Sequence, residues 1–122
     1  MLSICIPTYN RPVSLNNCLN SIKLAKENFK TFDFEVCISD NSDNEKNFSI
    51  IEKYKKEFKI NYIKNQKNLG FGKNAIQVVN LASKKLSWMI GDDDLLLPFT
   101  FIELDKIFNQ NPETDFFFIN SF

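Results

Sequence analysis

The chain alternates short apolar runs with longer stretches in which apolar residues recur every three or four positions. Short apolar runs bounded by polar or breaker residues are typical of strands, and the longer recurrence is typical of amphipathic helices. The pattern predicts five strands, over residues 2–7, 34–39, 60–64, 86–90 and 115–119. It predicts four intervening helices, over residues 13–27, 48–58, 73–83 and 98–109.

Strands that alternate with helices at this spacing pair in parallel through helical crossovers. The predicted strands lack a strict alternation of apolar and polar residues, which is expected where helices cover both faces of a sheet. The sequence therefore predicts an α/β fold, a three-layer, open, mostly parallel sheet with a Rossmann-like arrangement. With 122 residues, the chain is predicted to form one domain, residues 1–122, around one core.

Ligands of open parallel sheets bind at the carboxyl ends of the strands. In this chain that rule selects four loops rich in polar and acidic residues, over 8–11, 40–43, 65–73 and 91–94. We expect the functional residues to lie there.

Composition excludes several classes of function. The 15 basic residues balance the 15 acidic ones, so no net positive field favours nucleic acid. No segment reaches the ~20 apolar residues of a membrane span, and a cytoplasmic protein, at most peripheral to the inner face of the membrane, is predicted. The three cysteines show no CxxC spacing and are predicted to be core residues. Because histidine is absent, any metal site must use carboxylates.

Three consecutive carboxylates, Asp92, Asp93 and Asp94, follow the fourth predicted strand. Like charges this close repel one another, and a divalent cation would stabilise them. Ligands that are all oxygen favour Mg²⁺ or Mn²⁺, with open positions for phosphate oxygens. The alternative is that one aspartate caps the next helix and the others are solvated.

Other loop residues suit parts of a nucleotide, and Asp40 and Arg11 also have a structural interpretation. Asp40 suits a base N–H or a ribose hydroxyl, or it forms an Asx turn. Tyr9 offers an aromatic face to a nucleobase, and Arg11, the only arginine, suits a diphosphate or lies on the surface. Gly70 and Gly72 lack the third glycine of the dinucleotide-binding fingerprint, which argues against dinucleotide binding.

Four blocks, in order, resemble inverting family 2 glycosyltransferases of the GT-A fold. They are SICIPTYNR at 3–11, FEVCISDNS at 34–42, NLGFG at 68–72, and WMIGDDD at 88–94 with Pro98 after it. The resemblance implies a nucleotide-diphospho-sugar donor, expected to be UDP-linked, bound through Mn²⁺ or Mg²⁺. It implies transfer of the sugar, with inversion, to an acceptor sugar or glycolipid in surface polysaccharide or glycolipid synthesis.

Carried over by position, the resemblance assigns roles to individual residues. Pro7, Thr8 and Tyr9 would line the nucleoside pocket, Asp40 would bond the base, Asp92 would face the ribose, and Asp93 would bind the metal. The full predicted donor-binding set is Pro7, Thr8, Tyr9, Arg11, Asp40, Asn68, Lys73 and Asp92, and the predicted metal ligands are Asp93, Asp92 and Asp94.

Two departures from the family pattern qualify these roles. Gly91 stands where many members have the first carboxylate of the acidic motif, so Asp92 is expected to substitute. The family's catalytic base and most of its acceptor site lie in a C-terminal half, whereas this sequence ends at Phe122. We therefore assign no base, expect donor binding without transfer, and expect self-association through the last predicted strand.

Three other classes share parts of this pattern. A receiver domain would need an acidic pair after the first strand and an aspartate after the third, where this chain has Thr8 to Asn10 and Lys64 to Gln66. A nucleotidyltransferase usually has a glycine-rich basic loop after its first strand, and residues 8–12 contain no glycine. A nucleotide-binding module without activity remains an alternative.

Overall fold

Four of the five predicted strands form, and each lies within one residue of its predicted bounds. The computed structural model describes residues 1–119. Its strands are β1 (Leu2–Thr8), β2 (Phe34–Asp40), β3 (Ile60–Lys64) and β4 (Leu86–Met89). Its helices are α1 (Pro12–Asn28), α2 (Lys46–Tyr54), α3 (Phe71–Asn80) and α4 (Thr100–Gln110).

The strands form one parallel sheet in the order β3-β2-β1-β4. The chain builds the sheet outward from β1 to β3 and then returns to place β4 on the other side of β1. The order therefore reverses between β1 and β4. A crevice for ligands is expected at the carboxyl ends of these two strands.

Helices cover both faces of the sheet, as predicted. Leu2, Ile4 and Ile6 of β1 belong to the main core, which also contains buried residues of α1, α2 and α4. Cys5 and Cys37 point to the opposite face, where they pack with Val78 of α3. All three cysteines are buried free thiols, in agreement with their predicted place in the core.

The buried carboxylate of Glu35 contacts residues at or before the amino ends of β1, β3 and β4, on the edge of the sheet opposite the crevice. Glu35 is fully buried, and Oε1 accepts hydrogen bonds from Ser3 Oγ at 2.9 Å and from the N–H and hydroxyl of Ser83 at 2.7 and 2.8 Å. Lys59 Nζ lies 2.7 Å from Oε2. Burial acts to raise the pKa of Glu35, but these contacts outweigh it and hold the pKa well below its ordinary value.

The predicted fifth strand over 115–119 is wrong, because this segment is irregular and pairs with no described strand. Phe117 packs edge-on against Phe108, with ring centroids 5.1 Å apart. Phe116 and Phe118 are 79% and 85% exposed. A strand needs a partner for its backbone hydrogen bonds, and an apolar run does not supply one.

Helix bounds differ more than strand bounds. α2 ends at Tyr54 rather than Phe58, and Phe58 packs onto the core from the turn that follows. α3 begins at Phe71, two residues before the predicted start, immediately after Gly70. No helix within residues 1–119 is both long and apolar enough to cross a membrane.

Candidate functional site

A pocket of about 540 Å³ opens at the carboxyl ends of β1 and β4, where the strand order reverses. Its walls come from the loops after β1, β2, β3 and β4 and from the start of α3. The lining residues are Pro7, Thr8, Tyr9, Arg11, Asn41, Asn68, Gly70, Phe71, Asn74, Met89, Ile90, Gly91, Asp92 and Asp93. The volume is within the range of small-molecule and cofactor sites.

Asp92 is held at the pocket wall by contacts from the end of β1. Thr8 Oγ1 donates a hydrogen bond of 2.7 Å to Asp92 Oδ2, and both residues are buried. Arg11 Nη1 lies 3.3 Å from Asp92 Oδ1 and 3.1 Å from Asp93 Oδ2. The side chain of Asp93 is 63% exposed. The acidic loop therefore presents one anchored and one accessible carboxylate.

The turn after β4 depends on the glycine that departs from the family pattern. Gly91 N–H donates a hydrogen bond of 2.6 Å to Asp94 Oδ2. A Cβ at this position would lie 2.7 Å from Asp93 Oδ1 and 3.2 Å from Asp94 Oδ2. The absence of a side chain therefore lets both carboxylates fold back over the turn. Asp94 closes this turn and is not among the pocket-lining residues.

The loop between β1 and α1 bends at Asn10, whose φ of 51° lies in the left-handed region that asparagine tolerates. Its N–H donates to Ser42 Oγ at 2.9 Å, which joins this loop to the loop after β2. The bend leaves Tyr9 and Arg11, on either side of it, at the pocket. Sequence reasoning overlooked Asn10, although asparagine within a breaker loop is a signal for such a bend.

Three asparagines missed by the sequence analysis connect the strand-end loops, and two of them, Asn41 and Asn74, also line the pocket. Asn65 Nδ2 donates to Asn41 Oδ1 at 2.8 Å and to Asn74 Oδ1 at 3.1 Å. Asn74 Nδ2 donates to the carbonyl oxygens of Ser39 at 3.1 Å and Thr8 at 3.4 Å. All three asparagines are buried. Each follows a strand or opens a helix, and that position was the available signal.

Asn68 shapes the glycine loop that precedes α3. Its Oδ1 accepts hydrogen bonds from Gly70 N–H at 2.8 Å and from Asn41 Nδ2 at 3.0 Å. Gly70 has a φ of 79°, which glycine adopts without a steric penalty. Phe71 then begins the helix and contributes a 76% exposed aromatic ring to the pocket wall.

Asp40 lies beneath the pocket rather than on its wall. It is fully buried, and Oδ1 accepts from Ser42 N–H at 2.9 Å and from Asn47 Nδ2 at 3.2 Å. Tyr62 donates its hydroxyl to Oδ2 at 3.1 Å. Burial, followed by the charge of Asp40 and this hydrogen bond, raises the pKa of Tyr62. The contact to Ser42 is an Asx turn, the structural alternative predicted for Asp40.

Lys73 also lies away from the pocket wall. It is exposed on α3, and the neighbouring Asn74 is the residue that lines the pocket. Of the predicted donor-binding and metal-binding residues, the structure thus places three outside the pocket lining: Asp40, Lys73 and Asp94.

The family model described as "Glycosyl transferase family 2" matches residues 3–118. The chain belongs to glycosyltransferase family 2. Abequosyltransferase RfbV of Salmonella typhimurium is 40% identical to it over 98 residues, which cover 79% of this chain and 29% of that protein. This family 2 chain therefore spans less than a third of the length of that relative.

Two solved structures share the fold of this family 2 chain. The 1–349 fragment of S. aureus TarS in complex with UDP-GlcNAc gives a TM-score of 0.78 at 24% identity, over 91% of this chain and 32% of that one. The mannosyltransferase PcManGT of Pyrobaculum calidifontis, in complex with GDP-Man and Mn²⁺, gives 0.66 at 16% identity, over 77% and 28%. These likenesses confirm the predicted α/β fold class.

The buried thiol of Cys18 lies near the three carboxylates of the acidic loop. Burial, followed by the negative charges of Asp92, Asp94 and Asp93 in that order of effect, raises its pKa to about 12. The three carboxylates therefore set a negative potential around the acidic loop, and Arg11 is the cation paired with two of them. Such a site is suited to binding a further cation.

The donor set of the pocket fits a divalent cation only with ligands from outside the chain. Among residues 1–119, no three or more acidic or cysteine side chains converge as a ready metal site. Asp92 and Asp93 line the pocket, and both supply oxygen. Mg²⁺ and Mn²⁺ accept oxygen ligands, and Mg²⁺ usually binds one or two carboxylates while keeping waters and substrate phosphates. The pocket thus fits a metal bound together with a phosphate ligand.

Proposed function

We propose that this chain is the donor-binding part of a glycosyltransferase that takes a sugar from a UDP-linked donor and transfers it to an acceptor hydroxyl with inversion. The observation that carries the proposal is the pair Asp92 and Asp93 at the switch-point pocket, one anchored by Thr8 and one exposed. The TarS structure supports the donor class, since that protein was solved in complex with UDP-GlcNAc.

The pocket walls suit the three parts of such a donor. Tyr9 and Phe71 expose aromatic rings in the pocket, and stacking on such rings is a common way to bind a base. Asp92 Oδ1 accepts a hydrogen bond from Arg11, and in this proposal the Asp92 carboxylate would face the ribose. Asp93 would face the diphosphate through the metal. In this proposal Asp40 acts on the base side indirectly, since its turn shapes the loop that carries Asn41.

Asp93, with Asp92 behind it, would hold Mn²⁺ or Mg²⁺ at the pocket. When bound, the cation would supply positive charge to the leaving diphosphate. The Mn²⁺ in the PcManGT complex supports this choice of metal. Thr8 fixes the position of Asp92, and the turn at Gly91 fixes the direction of Asp93, so the chain's own contribution is to preorganise these two carboxylates.

No carboxylate of the described residues is suited to act as the base. Inversion requires a base on the opposite side of the anomeric carbon from the diphosphate, and both pocket carboxylates serve the donor. Glu103 pairs with Lys106 on α4, and Asp105 accepts a hydrogen bond from Asn109. Neither lines the pocket. We propose that this chain alone binds donor without transferring sugar.

The remaining parts of the proposal rest on the family. We propose a sugar or glycolipid acceptor, a role in surface polysaccharide or glycolipid synthesis, and a cytoplasmic location at the inner face of the membrane. The whole of residues 1–122 would serve as one nucleotide-sugar-binding domain.

Thermal unfolding tests the donor site. We expect UDP with Mn²⁺ to raise the Tm of the chain more than either compound alone, because binding to the native state stabilises it. In Asp93→Ala the additional effect of Mn²⁺ should disappear while the unliganded Tm is unchanged. Asp115→Ala, an exposed aspartate outside this pocket, is the matched control. An equal response from the two variants would contradict the proposal.

A further inference from the structure

The only arginine of the chain contacts one oxygen of each carboxylate to which the proposed function assigns the metal. Arg11 Nη1 lies 3.3 Å from Asp92 Oδ1 and 3.1 Å from Asp93 Oδ2, and so it bridges the two carboxylates. The other oxygen of Asp92 accepts the hydroxyl of Thr8. Within the described residues, Arg11 is the cation paired with the acidic loop.

The side chain of Arg11 can change its conformation while the backbone stays in place. Its carbonyl accepts the Leu15 N–H at 2.9 Å at the start of α1, which fixes its backbone. Its side chain is 56% exposed, and both of its salt-bridge contacts use one nitrogen, Nη1. The guanidinium can therefore leave the carboxylates by side-chain rotation alone.

A guanidinium and a divalent cation compete for these two carboxylates, because like charges at a few ångströms repel one another. Metal binding at Asp93 therefore favours the departure of Arg11 Nη1. A displaced guanidinium needs another anion, and the diphosphate of a bound nucleotide is a good one, since guanidinium groups match phosphate oxygens in shape and charge. Arg11 already lines the pocket in which that diphosphate would lie.

We propose that Arg11 is an internal counter-ion that holds Asp92 and Asp93 together before donor binds and exchanges to the diphosphate when metal and nucleotide bind. The inference rests on the proposed function. It makes metal binding and nucleotide binding cooperative: metal alone competes with Arg11, whereas metal with a diphosphate does not. By linkage, the diphosphate raises the affinity for metal by the same factor as metal raises the affinity for the diphosphate.

The test is Mn²⁺ binding to the full chain, followed by the loss of the free-ion paramagnetic resonance signal, with and without UDP. In Arg11→Gln, the affinity for Mn²⁺ alone should rise about threefold to tenfold, the scale of a partly exposed ion pair. The enhancement of Mn²⁺ affinity by UDP should fall by a similar factor. Arg11→Lys keeps a charge but lacks the planar fork, and its affinity for Mn²⁺ alone should lie between the two.

Lys106→Gln removes one exposed charge on α4, outside the pocket, and is the matched control for net charge. Its affinity for Mn²⁺ should equal that of the unmodified chain. An unchanged or lower affinity of Arg11→Gln for Mn²⁺ alone would overturn the inference, because it would mean that Arg11 supports the metal ligands rather than competing for them. If UDP fails to bind the unmodified chain with any metal, the proposed function is contradicted. The titrations with Mn²⁺ alone still test whether Arg11 competes with the metal.

Discussion

The Thr8 hydroxyl is the contact on which the position of Asp92 depends, and Thr8→Val removes it with little change in shape. Both side chains are branched at Cβ and favour strands, so the end of β1 should keep its conformation. The hydroxyl donates to Asp92 Oδ2 at 2.7 Å in a buried setting. Valine offers no donor, so this carboxylate oxygen would remain buried without a partner.

The expected loss of stability follows from these contacts. A hydrogen bond to a charged group contributes about 1.5–3 kcal/mol. Arg11 still reaches Asp92 Oδ1, and Asn47 Nδ2, which bonds Thr8 Oγ1 at 3.3 Å, keeps Asp40 and Ser42 as acceptors. We therefore expect a decrease of about 2 kcal/mol in the free energy of unfolding. Because Asp92 is then free to turn, the affinity for UDP with Mn²⁺ should fall about tenfold, or about 1.4 kcal/mol.

Urea unfolding and calorimetry of the same samples measure the two effects. Thr8→Ser, which keeps the donor and loses only a methyl group, is the matched control and should retain the affinity of the unmodified chain. If the valine variant keeps its stability and affinity, or if the serine variant loses as much affinity as the valine variant, the Thr8 hydroxyl does not position Asp92.

Three further predictions concern groups around the fold and the acidic loop. Folding lowers the pKa of Glu35, so the unmodified chain should lose stability as pH falls below about 5, where the unfolded carboxyl takes up a proton. In Glu35→Gln the urea midpoint should depend less on pH, and an identical pH dependence in the two proteins would contradict this prediction. Gly91→Ala should turn the Asp93 carboxylate away and weaken binding of UDP with Mn²⁺, measured by calorimetry, with little change in Tm; an unchanged affinity would show that the turn is not needed. Cys18, buried and with its pKa raised to about 12, should resist iodoacetamide at pH 8 until urea unfolds the chain, which peptide mapping can follow; rapid labelling of the native chain would refute this burial.

The strands were predictable because their apolar runs are short and end at polar loops. β3 over Ile60–Lys64 matches its prediction at both ends. The run over 115–119 is as apolar, but forming a strand depends on a partner elsewhere in the fold, and sequence periodicity carries no information about that partner. The predicted end of α2 was wrong for a related reason, since Phe58 reaches the core from the loop that follows the helix rather than from the helix itself.

A place at the pocket was predictable where a residue directly follows a strand that borders the switch point. Thr8 ends β1, and Asp92 and Asp93 follow β4 closely, so the topology alone brings them to one pocket. Asp40 ends β2 in the same way, but its Asx turn and its buried partners keep it below the pocket wall. Asn65 was not predictable, because amides in loops are common and its partners come from other segments of the chain.

The most direct test of the account is a calorimetric titration of UDP into the unmodified chain, once with Mn²⁺ and once with a chelator that removes it. Asp92 and Asp93 are proposed to reach a diphosphate only through the cation, so we expect saturable binding to one site with Mn²⁺ and a much weaker or undetectable signal with the chelator. Binding of equal strength in the two titrations, or no binding with Mn²⁺, would contradict the account.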